Sequence, residues 1–323
     1  MHNTLARTLV GLSLFALPSF ALAQECPQNP SRLPDAIDET NAWCPTCSHN
    51  ALETLDASVG AASALSDGVQ TDVETMLNMV RSEETGSATP DYGSITVDSG
   101  GLTYGAYQFD SYSGSLRTLL KRYAANGGAY AHALQPYLDQ MNRGGYPHGS
   151  ALQDLLHKAA KDPVMGQTQD EVYTSEYVQP AMQKAADMGI RSPAGAALVL
   201  DIYTNGGLST IVRQAKAQVP SIKTPGDETR FLQAMLDARD RYYRHLGANG
   251  YGRYLKGWLG RNNDYRTMLA KYGLGLEANG KVYLPHAGTR FCTGDHADAR
   301  AFGLYMAALA QNRDDASEVA LNP

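Results

Sequence analysis

Apolar residues recur every three to four positions along most of the chain, and this spacing predicts a mainly helical protein. The predicted helices cover 51–65, 70–84, 114–125, 129–141, 150–160, 173–188, 193–204, 208–217, 228–246, 251–259, 264–271 and 296–311. We expect these helices to form two lobes with a cleft between them.

Residues 92–109 depart from the helical period. The β-branched run Ile95–Val97 leads into Ser99-Gly100-Gly101, and Leu102–Tyr104 follows. Such runs on either side of a glycine turn are typical of a β-hairpin. The sequence therefore predicts one small hairpin or sheet within an otherwise helical fold.

The N-terminus has the features of a secretory signal peptide. Arg7 precedes an apolar stretch, and Ala21-Leu22-Ala23 supplies small residues for cleavage. We expect residues 1–23 to be removed and the mature protein to be periplasmic or secreted, without membrane attachment. Residues 24–50, rich in cysteine and proline, would form an irregular lead-in to a single domain over 51–323.

The charge balance is acidic, with 27 basic and 33 acidic residues and a formal net charge of −6. We find no basic stripe, so nucleic acid is excluded as a partner. An acidic surface accommodates neutral substrates and attracts cationic ones, such as polymers of amino sugars with free amines.

Four cysteines, Cys26, Cys44, Cys47 and Cys292, remain after signal cleavage. An even number in an exported chain predicts two disulfides, for which three connectivities exist. The Cys44-Pro45-Thr46-Cys47 segment also resembles a thioredoxin motif, but no strand-helix-strand pattern follows it. The spacing of Cys292, His286 and His296 fits no standard zinc site.

One carboxylate stands out on the helix before the hairpin. Val73, Leu77, Val80 and Glu84 fall on one stripe at 3.6 residues per turn, whereas Glu83 lies to one side. A carboxyl group at the end of a buried stripe is partly desolvated, which raises its pKa and suits it to act as a general acid. Fraying of Glu84 into solvent is the alternative.

A second carboxylate, Asp98, lies fourteen positions later at the glycine turn of the hairpin. Its structural alternative is a turn aspartate that bonds its own backbone. Two carboxylates across a cleft are what glycosidic hydrolysis requires, since one protonates the leaving oxygen and the other activates water or attacks carbon. Glu84 and Asp98 together therefore point to a glycoside hydrolase.

Residues 82–86 and 98–109 resemble the catalytic stretch of a lysozyme-like hydrolase domain found in some type VI secretion VgrG spike proteins. They are also similar, more distantly, to family 46 chitosanases. The resemblance implies a mainly α, lysozyme-like fold with Glu84 as acid and Asp98 as second carboxylate. Gly100 departs from the chitosanases, which carry an arginine there.

The resemblance also implies roles for three further residues and implies no metal or organic cofactor. Thr103 matches the chitosanase threonine that helps to hold the attacking water. Asp201 and Arg239 match a buried network behind the acid, and their placement on apolar helix faces predicts a buried ion pair. Outward snorkelling of Arg239 is the alternative.

Tyr104, Tyr107 and Gln108 are candidate sugar-binding residues, although strand alternation sends about half of them to the core. Asn205 lies near the position of a chitosanase His-Gly pair and is a further candidate for substrate binding. A basic and aromatic cluster could hold a substrate carboxylate or be an ordinary helix surface. Its members are Arg253, Lys256, Trp258 and Arg261.

The sequence thus predicts an exported hydrolase of β-1,4 linkages in an amino-sugar polymer, acting with inversion. Peptidoglycan is the preferred substrate because the spike-associated domains are the nearer resemblance. Chitosan is the alternative, supported by Thr103 and by the acidic charge. A non-catalytic wall-binding protein with the same fold is a third hypothesis.

Overall fold

A computed structural model describes residues 67–97, 101–276, 280–293 and 299–321. The predicted signal peptide, the helix over 51–65 and Asp98 lie outside these residues. Cys26, Cys44 and Cys47 lie outside them as well, so the two disulfides stay a prediction.

The described chain is mainly helical, as the apolar spacing predicts. Its α-helices are α1 (Asp67–Thr85), α2 (Ser115–Ala125), α3 (Ala131–Asn142), α4 (Ser150–Ala159), α5 (Pro163–Tyr173), α6 (Gln179–Asp187), α7 (Pro193–Asn205), α8 (Leu208–Lys216), α9 (Pro225–Leu246), α10 (Leu255–Tyr272) and α11 (Ala299–Leu321). A π-helical turn (Thr174–Val178) joins α5 to α6, and a second π-helical segment (Gly247–Tyr251) and a 3-10 turn (Gly252–Tyr254) join α9 to α10.

Two small antiparallel sheets complete the fold. The first has three strands in the order β1 (Ile95–Val97), β2 (Leu102–Tyr104) and β3 (Phe109–Asp110). In its register Thr103 lies between Thr96 and Asp110. The second sheet pairs β4 (Lys281–Leu284) with β5 (Thr289–Cys292).

The helices pack as two lobes that share an extended hydrophobic core. Helices α2 to α5 pack together in one lobe, where α2 contacts β3, and α8 to α10 pack with the β4–β5 hairpin in the other. Helices α1 and α7 lie against each other between the lobes. The C-terminal ends of these two helices carry Glu84 and Asn205. Two of the predicted site residues therefore lie between the lobes.

Local capping explains several helix starts. Ser192 accepts a hydrogen bond from the amide of Gly195 ahead of Pro193 at the start of α7. Thr224 and Asp227 form a capping box at the start of α9. These contacts satisfy amide groups that the first helical turn leaves unpaired.

The structure corrects the sequence-based boundaries in three places. Helix α5 was not predicted, because its apolar period is weak, although Asp162 before Pro163 caps its first turn. The segments predicted at 251–259 and 264–271 belong largely to one helix, α10, and residues 281–292 form a second hairpin that was not predicted. Among the described helices none is long and apolar enough to cross a membrane.

Candidate active site

Glu84 occupies the last turn of α1, on the stripe that the helical period predicts. Val73, Leu77 and Val80 are buried on that stripe, and Glu84 itself is only 5% exposed. Burial raises the pKa of the Glu84 carboxyl above its usual value, while Arg261 opposes the rise. The fraying alternative is therefore excluded for Glu84.

A buried chain of charges supports Glu84 from behind. The Arg261 Nη2 donates to Glu84 Oε1 at 2.7 Å, and its Nε donates to Asp201 Oδ1 at 2.8 Å. The other Asp201 oxygen, Oδ2, lies 2.5 Å from Arg239 Nη2, which is the ion pair predicted from the sequence. Both members of that pair are fully buried.

The two arginines decide the charge of Asp201. Burial alone would raise the pKa of the Asp201 carboxyl, but Arg261 and Arg239 lower it below its usual value. Arg239 is held in turn by its Nε, which donates to the Tyr243 hydroxyl at 2.8 Å. An ionised Asp201 therefore fixes Arg261, and Arg261 fixes one oxygen of Glu84.

The sequence pattern did not predict that Arg261 belongs to this buried network of charges. The sequence placed it in a basic and aromatic surface cluster, but Arg261 and Trp258 are buried while Arg253 and Lys256 are exposed. The signal was available in the buried stripe of α10, because Trp258, Tyr265 and Arg261 follow helical spacing. The proposed cluster does not exist as one surface.

We expect Arg239→Met to lower the free energy of unfolding by about 3 kcal/mol, because it removes one partner of a buried charge. Asp201 would keep Arg261, and the Tyr243 hydroxyl would lose its donor. Chemical denaturation at pH 7 measures the change.

Arg241→Met is the matched control, since Arg241 is exposed on the same helix and bonds only Gln214 in the described contacts. We expect it to cost less than about 0.5 kcal/mol. Equal stability of the two variants would contradict the buried ion pair.

Asn205 lies beside Glu84 rather than in open solvent. It is 8% exposed, its Nδ2 donates to the Asp201 carbonyl at 2.9 Å, and its side chain lowers the pKa of the Glu84 carboxyl. The structure therefore places Asn205 between Asp201 and the predicted acid.

Thr103 lies at the centre of β2, on the sheet that follows the acid. Its Oγ1 donates to Gln108 Oε1 at 2.5 Å, and Gln108 Nε2 donates to the Gly105 carbonyl at 2.9 Å. Gln108 has a left-handed φ of 51°, which the turn between β2 and β3 requires. Gln108 therefore holds Thr103, and both side chains are mostly buried.

Asp98 directly follows Val97, the last residue of β1. Val97 pairs with Leu102, the neighbour of Thr103. The position of Asp98 itself lies outside the described residues.

Tyr104 and Tyr107 belong to the core, which corrects their assignment as sugar-binding residues. Tyr104 is fully buried and its hydroxyl donates to the Leu156 carbonyl at 3.0 Å. The Tyr107 hydroxyl donates to Asp170 Oδ1 at 2.8 Å. Neither ring has a free face, because both residues point to the buried side of the sheet and its turn.

A ladder of tyrosine rings connects this turn with Tyr203 on α7. Tyr173 stacks on Tyr107 at a centroid distance of 4.0 Å and on Tyr177 at 5.2 Å. Tyr177 meets Tyr203 edge to face at 6.4 Å, and both of these rings are half-buried. The π-helical turn places Tyr177 in the ladder, and sequence periodicity gave no sign of that turn.

No group of three His, Cys, Asp or Glu side chains in the described part of the chain is arranged to hold a metal ion. The site is built instead from carboxylates, guanidinium groups, an amide, a hydroxyl and tyrosine rings. A buried carboxyl with a raised pKa can donate a proton, and its fixed orientation suits proton transfer to a leaving group.

Comparison with solved structures gives the same fold. The chitosanase GsCsn46A of Gynuella sunshinyii in complex with chitotetraose has a TM-score of 0.60 at 22% identity, over 69% of this chain and 97% of that one. The native chitosanase of Bacillus subtilis MY002 has a TM-score of 0.56 at 20% identity, over 71% and 99%. A mutant of the same Bacillus enzyme in complex with 6 GlcN has a TM-score of 0.57 at 20% identity, over the same shares.

Comparison by sequence identifies the family. No curated protein matches this chain. The sequence model of glycosyl hydrolase family 46 matches residues 78–249, more than half of the chain, and this range includes Glu84, Asp201 and Arg239. The protein is a mainly helical, lysozyme-like glycoside hydrolase that belongs to glycosyl hydrolase family 46.

Proposed function

We propose that this enzyme hydrolyses the β-1,4 linkages of chitosan, with Glu84 as the general acid. The observation that carries the proposal is the buried Glu84 carboxyl bonded to Arg261 within a family 46 chain. Residues 1–23 predict export, which would bring the enzyme to a polymer outside the cytoplasm.

Glu84 meets the two requirements of a proton donor. Burial favours its neutral form, and Arg261 holds Oε1, so Oε2 is the oxygen that delivers the proton to the glycosidic oxygen. Asp201 and Arg239 keep Arg261 in place without touching substrate. The acid is thus oriented before the polymer binds, which lowers the entropic cost of reaction.

Asp98 acts in this proposal as the base that activates water, and Thr103 helps to hold that water. The Thr103 hydroxyl donates to Gln108, which leaves its oxygen lone pairs as acceptors for a water hydrogen. Attack by water on the face opposite the leaving group inverts the anomeric carbon. Tyr177 and Tyr203 supply the aromatic surface for sugar rings that Tyr104 and Tyr107 cannot.

Chitosan is preferred here to the peptidoglycan that the sequence alone favoured. The family and the similar solved structures are chitosanases, and two of those structures contain glucosamine oligomers. The acidic net charge favours a polycationic substrate. The resemblance to spike-associated domains, which supported peptidoglycan, has no counterpart among these matches.

Hydrolysis of a glucosamine hexamer followed by proton NMR tests this proposal. We expect the α-anomer to be the first new reducing end, because inversion of a β linkage produces it. Asp98→Asn should abolish its formation, while the surface variant Asp237→Asn should not, since Asp237 lies more than half exposed on α9. A β-anomer formed first would contradict inversion, and an intact hexamer would contradict chitosan hydrolysis.

A further inference from the structure

Glu83, the residue before the proposed acid, has no role in the mechanism above, yet it is only 2% exposed. The helical period placed it to one side of the apolar stripe. The β4–β5 hairpin packs against α1, and Arg261 Nη1 reaches the Glu83 carbonyl at 3.4 Å. These elements cover the side of α1 that Glu83 occupies.

Neither carboxyl oxygen of Glu83 accepts a hydrogen bond from any N–H or O–H donor in the described residues. The carboxylate of Asp264 on α10 lies beside it, and the negative charge of Asp264 raises the pKa of Glu83. Two buried carboxylates in contact cannot both be ionised, and one proton between them turns repulsion into a hydrogen bond.

The contacts of Asp264 decide which member carries the proton. Asp264 is fully buried, and its two oxygens accept from the amides of His286 at 2.8 and 3.0 Å and of Ala287 at 3.0 Å. Amide donors stabilise the ionised form of a carboxylate. Asp264 is therefore the acceptor, and Glu83 is the carboxylic acid that donates.

The charges around the pair agree with this assignment. Burial raises the pKa of Glu83 well above its usual value; Arg261 opposes the rise, and Asp264 and Asp201 add to it. With Glu83 neutral, the charges of Arg239 and Arg261 balance those of Asp201 and Asp264 when Glu84 is protonated. His286 is the other titratable group that faces Asp264.

The same pair ties three elements together at the site. Asp264 lies one helical turn after Arg261 on α10, and its amide donors lie in the turn of the β4–β5 hairpin. The His286 ring packs on Gly260, where a Cβ atom would come within 2.3 Å of Nδ1. Contact between Glu83 and Asp264 thus docks α10 and the hairpin on the end of α1.

We propose that Glu83 is a positioning residue for the acid, whose neutral carboxyl donates to Asp264 and so holds Arg261 in reach of Glu84. The expected effect on the rate of chitosan hydrolysis rests on the proposed function. The contact of Glu83 with Asp264 does not. Glu83 touches no substrate in it, so its loss affects orientation of the acid rather than substrate binding.

Two substitutions at Glu83 test the proposal through kinetics. We expect Glu83→Ala to lower kcat by about 10- to 100-fold with little change in KM, because Arg261 and Glu84 lose their fixed geometry. Glu83→Gln keeps a neutral donor to Asp264, and we expect it to restore kcat to within about threefold of the wild type. Wild-type kcat in Glu83→Ala, or loss of activity in Glu83→Gln, would overturn the proposal.

Thermal unfolding of the wild type and Glu83→Gln between pH 5 and 8 tests, without any substrate, whether the Glu83 carboxyl is protonated in the folded protein. A raised folded pKa means that Glu83 stabilises the fold below its unfolded pKa and that this contribution is lost as the pH rises through the folded pKa. The wild type should therefore lose more melting temperature with rising pH than Glu83→Gln.

If the melting temperatures of the two proteins changed with pH in parallel, Glu83 would not be neutral in the folded protein. This conclusion would hold whatever the substrate is. If the wild type failed to cleave chitosan, the proposed function would fall, while this melting comparison would still decide the state of Glu83.

Discussion

Replacement of Glu84 by Gln should remove most of the chitosan hydrolysis while leaving the fold intact. Gln keeps an oxygen for Arg261 Nη2 but cannot give up a proton to the glycosidic oxygen. Removal of a general acid costs about 10²- to 10⁴-fold in rate, and we expect kcat to fall within that range. Reducing-end release from chitosan at fixed enzyme concentration measures the loss.

Glu171→Gln is the matched control for Glu84→Gln. Glu171 carries the same side chain on α5, partly exposed and paired with Arg122 at the surface. We expect wild-type kcat from it and wild-type circular dichroism from both variants. Appreciable activity in Glu84→Gln would remove Glu84 from the role of acid.

The pH dependence of the wild type follows from the same residue. Burial raises the pKa of Glu84, so the proton that the reaction needs remains bound to higher pH than on an exposed glutamate. Activity should fall as the pH rises through this raised pKa, because the ionised carboxylate has no proton to donate.

Arg261→Lys should cause the second large loss of chitosan-hydrolysing activity. Arg261 donates to Glu84, to Asp201 and to the Glu83 carbonyl at the same time. A lysine ammonium keeps the charge but lacks the planar fork that reaches all three. We expect kcat to fall about 100-fold, since a displacement of roughly 1 Å at the reacting group costs that much. Steady-state kinetics on chitosan would also show a nearly unchanged KM.

Arg266→Lys provides the comparison for Arg261→Lys on the same helix. Arg266 is one-third exposed and pairs with Asp237 and Asp240 outside the buried network. Its substitution should leave kcat close to that of the wild type. A similar loss in both variants would mean that α10 tolerates no lysine at either position, and would contradict a specific role of Arg261.

The burial of Glu84 could be predicted from the sequence, because residues about 3.6 positions apart share one face of a helix. The 3.6-residue period puts Glu84, and not Glu83, in line with Val80 and Leu77, and the structure buries Glu84 at the end of that line. The pairing of Asp201 with Arg239 could be predicted for a similar reason, because each charge lay on an apolar helix face and buried charges require partners.

Other parts of the site depend on tertiary contacts that no local pattern contains. Arg261 is buried because α10 packs against the ends of α1 and α7, and spacing along α10 alone does not say which of its faces is covered. Glu83 is buried because a hairpin from the C-terminal part of the chain covers it. That hairpin lacks the Asn-Gly or Gly-Gly turn by which short hairpins are recognised.

Strand alternation predicts that neighbouring residues of the hairpin point to opposite faces, but it does not say which face is buried. The sequence indicated that about half of the hairpin candidates face the core, and the structure identifies Tyr104 and Tyr107 as core residues. Their hydroxyls reach Leu156 and Asp170 in the helices beneath the sheet. The choice of face depends on those helices, one of which, α5, the apolar period did not predict.

Incubation of the purified enzyme with chitosan and with peptidoglycan, side by side, tests the central claim most directly. Reducing ends are measured for the wild type and Glu84→Gln at the same concentrations of enzyme and polymer. The account predicts release from chitosan by the wild type, about 10²- to 10⁴-fold slower release by Glu84→Gln, and none from peptidoglycan by either protein. Release from peptidoglycan with chitosan left intact would contradict it.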